Sequence, residues 1–287
     1  MNPLNSKLII GGAQFGSSYG IANKVGHVKK QEVKSILDFA FKNGISFIDT
    51  AKSYGNSENI IGSAIIGNEK NWNIITKYKS HHENIELEFE KSLINFNCPP
   101  KIILSHSYEH YMKSGTFEIF DKLKKENKVK KIGVSVYTAE EIESVLKINR
   151  PDVIQLPMSI LDSRLYKNGA LDKIKEKGIE IHIRSVFLQG LFFLSKKQIE
   201  NKFPDAVNAI DKLNFISKEN NLSLAELSLL WTCSIENVDK VIIGVDSVLQ
   251  LKQHLSTLTK KVNKLSFYNA LKVNYDNEKV LNPSNWN

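Results

Sequence analysis

Eight short runs of apolar residues, most of them rich in β-branched side chains, are each followed by a stretch of helical periodicity. This alternation limits what the 287-residue chain can fold into more than any other feature. The runs are KLIIGGA from Lys7, ISFID from Ile45, WNIITK from Trp72, KIILSH from Lys101, KIGVS from Lys131, DVIQL from Asp152, IEIHIRS from Ile179 and KVIIGV from Lys240. Each is apolar on both faces and bounded by Gly, Lys or Asn, the pattern of a strand buried in a parallel sheet. Between them, Val33, Ile36, Leu37, Ala40 and Phe41 recur at helical spacing, with Asn43-Gly44 behind them as a stop. Ala225, Leu229, Leu230 and Cys233 repeat that spacing later. Thr138 ahead of Glu140 and Glu141 reads as a capped helix start. Two further helices are expected after the eighth strand, around residues 247–258 and 266–275.

Eight such units predict an α/β chain closed into a (β/α)8 TIM barrel with extra C-terminal helices, one domain over residues 1–287. An open doubly wound sheet would place a G-x-G-x-x-G turn after its first strand, and GGAQFG (Gly11 to Gly16) does not match. No Pro-rich or Gly/Ser-rich linker divides the chain.

The composition, 41% apolar and 24% charged, is that of a globular protein. No apolar run approaches the ~18 residues a membrane span requires, so no membrane partner is expected. The opening MNPLNSKLII lacks the features of a signal peptide. Cys98 and Cys233 offer neither a disulfide framework nor metal-ligand spacing, so a reducing, cytoplasmic setting without a metal is expected. The net charge of +8 comes from a surface in which 36 of 39 cationic residues are Lys, interspersed with Glu. Nucleic-acid readers lean on Arg, so the excess reads as a solvated surface with at most a modest field for an anionic ligand.

In a barrel the chemistry sits where strands end at the carboxyl face. Strand two ends at Asp49 in FIDTAKSYG, with Tyr54 on the following loop; strand three ends near Lys77 and strand four at His106. Each alone has a plainer reading: a loop cap, a solvated cation, a core histidine. Together they suit one task. A phenol with a reference pKa of ~10 donates its proton poorly near neutrality. A neighbouring ammonium is expected to lower that value, and a carboxylate to hold the ammonium in place. The phenol then protonates a carbonyl oxygen as hydride reaches the carbon, with the imidazole orienting the carbonyl.

With these residues in place, the chain resembles the aldo-keto reductase superfamily, from KLIIGGAQFG to IIGVDSVLQLKQH, and most specifically at FIDTAKSYGNSE. The resemblance implies an NADP- or NAD-dependent reductase of a small-molecule carbonyl substrate, with Asp49, Tyr54, Lys77 and His106 as its catalytic tetrad. It implies that Ser135 and Gln155 hold the nicotinamide carboxamide, although Val136 stands where the family often has Asn. Arg184 occupies a place where many members stack an aromatic ring on the nicotinamide. Ser185 through Gly190 and Leu191 match the loop that crosses the pyrophosphate, and the segment from Gly244 to His254 matches the grip on the adenosine half. Where the family holds the 2′-phosphate with cations, this chain has Asp246 and Gln250, counted from Gly244 and Ser247. An Asp repels a phosphate but accepts from a free ribose hydroxyl, so weakened NADPH selectivity is expected, with NADH accepted comparably or preferred. Lys252 could reach back to restore phosphate binding, or Asp246 could merely cap the helix beginning near Ser247. Gly12 to Gly16, SYGIANKVG and the VDS after strand eight resemble bacterial members associated with sugar or cell-surface polysaccharide pathways. The short stretch after His106 and the brief tail after Tyr275 suggest an open cleft for a bulky or polar carbonyl compound.

Two rival readings use other parts of the chain. HSYEH (His106 to His110) matches the inverted zinc-protease pattern, which needs both His on one helix face, whereas KIILS leads into His106 as a strand. A non-catalytic nicotinamide-nucleotide-binding redox sensor would retain the same residues without turnover. His27, His81, His82 and His182 read as loop or strand residues without partners.

Overall fold

Eight parallel strands close on themselves in chain order, each hydrogen-bonded to the next and β8 to β1, in the computed structural model of the chain. They are β1 (Leu8–Gly11), β2 (Phe47–Asp49), β3 (Asn73–Tyr78), β4 (Ile102–Ser105), β5 (Lys131–Ser135), β6 (Val153–Pro157), β7 (Glu180–Arg184) and β8 (Lys240–Gly244). Helices on the outside complete a (β/α)8 TIM barrel, and every expected strand is present. The structure describes residues 2–23, 26–79 and 82–286; His81, together with Lys24 and Val25 of SYGIANKVG, lies outside that set, as does the side chain of His82.

The period of two along each strand divides the core. Leu8, Ile10, Ile48, Ile74, Ile154, Ile181, Ile183 and Val241 face outward and join the large cluster under the helices. Ile9, Ile75, Ile102, Leu104 and Val153 face inward and fill the barrel, with Phe47 and Ile242 packed against them. That apolar plug is the floor on which the strand-end polar residues stand. His182, on the same face of β7 as Arg184, is fully buried, and its Nε2 lies 3.5 Å from Glu180 Oε2, so it does have a near neighbour.

The helices start and stop as their local chemistry dictates. Lys30–Lys42 buries Val33, Ile36, Leu37 and Ala40 and gives way at Asn43 and Gly44, whose φ of 84° only glycine adopts without strain. Phe41 sits at the edge of that stripe, tilted against Trp72 at 5.5 Å. Ala139–Ile148 opens with a capping box in which Thr138 and Glu141 satisfy each other's backbone N–H groups. Leu224–Ser234 is buried along nearly its whole length, and Val248–Thr257 is capped by Ser247. The last expected helix is shifted: it runs Lys264–Leu271, because the Asn263 side chain accepts from Leu265 N and fixes an earlier start. The chain then folds back through Glu278–Leu281, where Glu278 meets Arg164 at 3.0 Å, and brings Pro283 to the mouth of the barrel.

Candidate active site

A cleft of about 460 Å³ opens at the carboxyl ends of the strands, and Asp49, Tyr54, Lys77 and His106 all line it. At its floor lies a buried ion pair. Lys77, 1% exposed, donates to Asp49 Oδ1 at 2.5 Å and to the Thr50 carbonyl at 2.9 Å. The other carboxylate oxygen of Asp49 accepts from Gln155 Nε2 at 2.8 Å. A charge pair withdrawn from water persists only when its remaining lone pairs and protons are satisfied, and here β2, β3 and β6 share that work.

Tyr54 is held over this pair by a close approach of backbones. A Cβ on Gly16 would lie 1.8 Å from the Tyr54 carbonyl oxygen, and one on Gly55 would lie 2.4 Å from the Gly16 carbonyl oxygen. Only glycine lets the two loops meet there. Behind them, Ser57 accepts from Thr50 at 2.8 Å and donates to the Gly12 carbonyl at 2.7 Å. The Lys77 ammonium stands 5.3 Å from the centroid of the Tyr54 ring, and the His106 ring meets that ring edge-on at 5.5 Å. The Ser53 hydroxyl lies 3.1 Å from His106 Nδ1, and among the described residues neither His106 Nε2 nor the Tyr54 hydroxyl has a hydrogen-bond partner.

Electrostatics keep both of these groups neutral. Burial, and after it the Lys77 and Lys79 ammoniums, pull the His106 imidazole down to about 2. Burial, and after it the Asp49 carboxylate, push the Tyr54 phenol above its ordinary value, with Arg184 opposing. The expected depression of Tyr54 by Lys77 is therefore corrected: desolvation dominates, and the Asp49 carboxylate raises the phenol further. Burial also lowers Lys77, against the pull of Asp49. The result is a phenol that keeps its proton until a stronger base arrives.

The residues matched to cofactor positions fall into three groups. Ser135, Gln155 and Arg184 line the cleft beside the ion pair. Arg184 donates to Ser135 Oγ at 3.2 Å and to the Val136 carbonyl at 3.3 Å, and its guanidinium stacks 4.1 Å from the centroid of Tyr137. Ser185 and Gly190 line the middle of the cleft, within a loop where Ser185, Leu188 and Gln189 all have positive φ. That loop meets the one after β1, with Ile21 N donating to the Gln189 carbonyl at 2.9 Å. Leu191 of the same loop is instead buried in the core. At the far end, Gly244, Asp246, Gln250 and His254 line the cleft. Gln250 accepts from Asp246 N at 2.7 Å, and His254 stacks on Phe187 at 5.0 Å, where burial lowers its imidazole to about 4. Ser247, not Asp246, caps the helix Val248–Thr257, and Lys252 turns away from the cleft to stand 5.5 Å from the Phe39 ring.

Sequence reasoning missed Tyr19, Tyr137 and Ser53. Tyr19 lines the cleft 6.5 Å from Tyr54, and burial raises its phenol. Tyr137 and Ser53 each stand within two residues of a residue that was singled out, the one signal that pointed to them. The HSYEH string does not form one helix face: His106 precedes the short helix Tyr108–Tyr111, and His110 bonds its cap, Ser107, at 2.8 Å.

Comparison with known proteins gives consistent results. The model of the "Aldo/keto reductase family" matches residues 7–270. The chain is 22% identical over 276 residues to L-galactose dehydrogenase of Arabidopsis thaliana, covering 89% of this chain and 86% of the relative. It is 28% identical over 228 residues to the NADH-specific methylglyoxal reductase of Escherichia coli, covering 69% and 68%. Among solved structures, the holo form of an aldo-keto reductase from Bacillus halodurans superposes with a TM-score of 0.77 at 20% identity, covering 94% of this chain and 92% of that one.

Proposed function

The chain belongs to the aldo/keto reductase family of NAD(P)H-dependent oxidoreductases, and on that premise we propose that it reduces a polar, sugar-derived aldehyde or ketone in the cytoplasm, accepting NADH comparably to NADPH or in preference to it. One observation carries this reading: a Tyr54 hydroxyl in the cleft with no hydrogen-bond partner among the described residues, beside a neutral His106 and above the Lys77–Asp49 pair.

In this reading the substrate oxygen sits between Tyr54 and His106. His106, its Nδ1 engaged by Ser53, presents Nε2 to the carbonyl and fixes its direction. Tyr54 donates its proton as negative charge develops on that oxygen, and the Lys77 ammonium, held by Asp49, stabilises the phenolate left behind. The reduced cofactor, when bound, supplies the hydride. The residues present suit such a cofactor. Gln155 Oε1 is buried, has no hydrogen-bond partner among the described residues and can accept from a carboxamide N–H. At the other end, Asp246 Oδ1 is likewise buried and without a partner among the described residues, an acceptor for a ribose hydroxyl. Among the described residues lining that end there is no Lys or Arg to pair with a 2′-phosphate, which supports the NADH reading.

Tyr19, Asn23, Tyr137 and Gln189 give the cleft a polar wall suited to a hydroxylated substrate. Two relatives bear names that refer to L-galactose and to methylglyoxal, one a sugar and the other a small dicarbonyl. The test is loss of reduced-cofactor absorbance with NADH and with NADPH, against sugar-derived and simple hydrophobic aldehydes. Higher kcat/KM for the polar set is the expected result. Turnover of small hydrophobic aldehydes alone would overturn the substrate class, and cofactor binding without turnover of any carbonyl would favour a redox sensor.

A further inference from the structure

We propose that Arg184 makes the protein selective for the redox state of its cofactor: an uncompensated guanidinium at the reacting end of the cleft favours the reduced, uncharged nicotinamide over the oxidised, cationic one. The inference rests on the cofactor reading above.

The charges at that end can be counted. Lys77 and Asp49 cancel within one ion pair. Burial keeps the phenols of Tyr54 and Tyr19 protonated, and the imidazole of His106 unprotonated, near neutrality. Lys79, which also acts on His106, is exposed, so solvent screens it. Arg184 remains. Among the described residues no carboxylate pairs with it; its partners are the Ser135 hydroxyl, the Ser185 hydroxyl at 3.5 Å, the Val136 carbonyl and the face of Tyr137. Glu141, behind Tyr137, is engaged by the Tyr137 and Thr138 N–H groups and does not line the cleft, so the described residues lining the reacting end carry one net positive charge.

The neighbours of Arg184 place that charge beside the nicotinamide. Its Nε donates to the hydroxyl of Ser135, whose Cα partner across the β5–β6 ladder is Gln155, the residue with the orphaned acceptor. Reduction moves a hydride to the carbonyl carbon and a proton from Tyr54 to its oxygen, and converts a neutral dihydropyridine into a pyridinium cation. A fixed cation nearby repels the second form and leaves the first almost untouched. In a partly buried site that difference corresponds to affinities about tenfold to a hundredfold apart. By linkage, each tenfold raises the potential of the bound couple by about 30 mV. The protein would load reduced cofactor from a pool rich in the oxidised form and release the oxidised product readily.

Dissociation constants for NADH and NAD⁺, measured by fluorescence quenching and calorimetry, test this without turnover. Wild type is expected to bind NADH at least about tenfold more tightly. Arg184→Met should bring the two constants to within about threefold, chiefly by improving NAD⁺ binding, and Arg184→Lys should retain most of the difference. Equal affinities in wild type overturn the inference with no need for a variant, as does a ratio that Arg184→Met leaves unchanged. Failure of both forms to bind, and of NADPH and NADP⁺ as well, would overturn the cofactor reading itself and this inference with it.

Discussion

The Lys77 ammonium stands 5.3 Å from the centre of the Tyr54 ring without a hydrogen bond between the two side chains: Asp49 and the Thr50 carbonyl hold the ammonium, and the close approach of Gly16 and Gly55 holds the loop that carries the phenol. Lys52 N donates to the Lys77 carbonyl at 3.0 Å, tying the loop that carries the phenol to the strand that carries the cation. The pair is thereby built before any ligand arrives, which is what transition-state stabilisation by fixed charges requires.

The buried ion pair beneath them should prove costly to break from one side. Asp49→Ala leaves Lys77 without its counter-charge and is expected to lower stability by about 3–5 kcal/mol in urea unfolding. Adding Lys77→Met should recover much of that loss. Additive losses in the double variant would contradict a pair that matters mainly as a pair.

Gly16→Ala puts a methyl group 1.8 Å from the Tyr54 carbonyl oxygen, so the two loops must part. The expected cost is about 1–3 kcal/mol of stability. Because the movement displaces the proposed acid, kcat should fall by more than about tenfold while the dissociation constant of the cofactor changes little. Unchanged kcat would mean that the loop position does not set the Tyr54 geometry.

Two partly buried imidazoles shape the acid side of the stability profile. His106 lies at about 2 and His254 at about 4, both below their ordinary 6.5. The folded state therefore binds fewer protons than the unfolded chain below pH 6.5. Stability is full above that pH and falls as pH drops, until about 4 for His254 and on toward 2 for His106. Each contributes a slope of up to about 1.4 kcal/mol per pH unit. His106→Gln should flatten the fall of the urea midpoint between about pH 6 and pH 4; an unaltered slope would count against a neutral His106.

Much of this was legible in the sequence, and the rest was not for identifiable reasons. Both-face apolar runs mark parallel barrel strands, so strand ends could be located, and with them the convergence of Asp49, Tyr54, Lys77 and His106. Side-chain direction on loops carries no comparable period. Leu191 lies one residue beyond the cleft-lining Gly190 yet turns into the core. Lys252 stands on the helix Val248–Thr257, and its long, flexible stem turns toward Phe39. Tyr137 matters because Arg184, on another strand, lies across it, a contact between residues 47 positions apart that local pattern does not reveal. The direction of the Tyr54 shift escapes the sequence, which names its neighbours without showing how much water burial removes.

Cofactor choice should turn on Asp246. Asp246→Arg supplies a cation where the unpartnered carboxylate oxygen stands, and should move kcat/KM toward NADPH by about tenfold to a hundredfold, or roughly 1–3 kcal/mol. Wild-type preference for NADPH by about a hundredfold, unaffected by the substitution, would place the phosphate clamp elsewhere.

Tyr54→Phe tests the account most directly. The substitution removes one hydroxyl that has no protein partner among the described residues, so fold and cofactor affinity should be nearly unchanged. Carbonyl-dependent oxidation of the reduced cofactor is expected to fall by at least about a hundredfold in kcat, because only proton donation is lost. Undiminished turnover in Tyr54→Phe would contradict the assignment of Tyr54 as the acid.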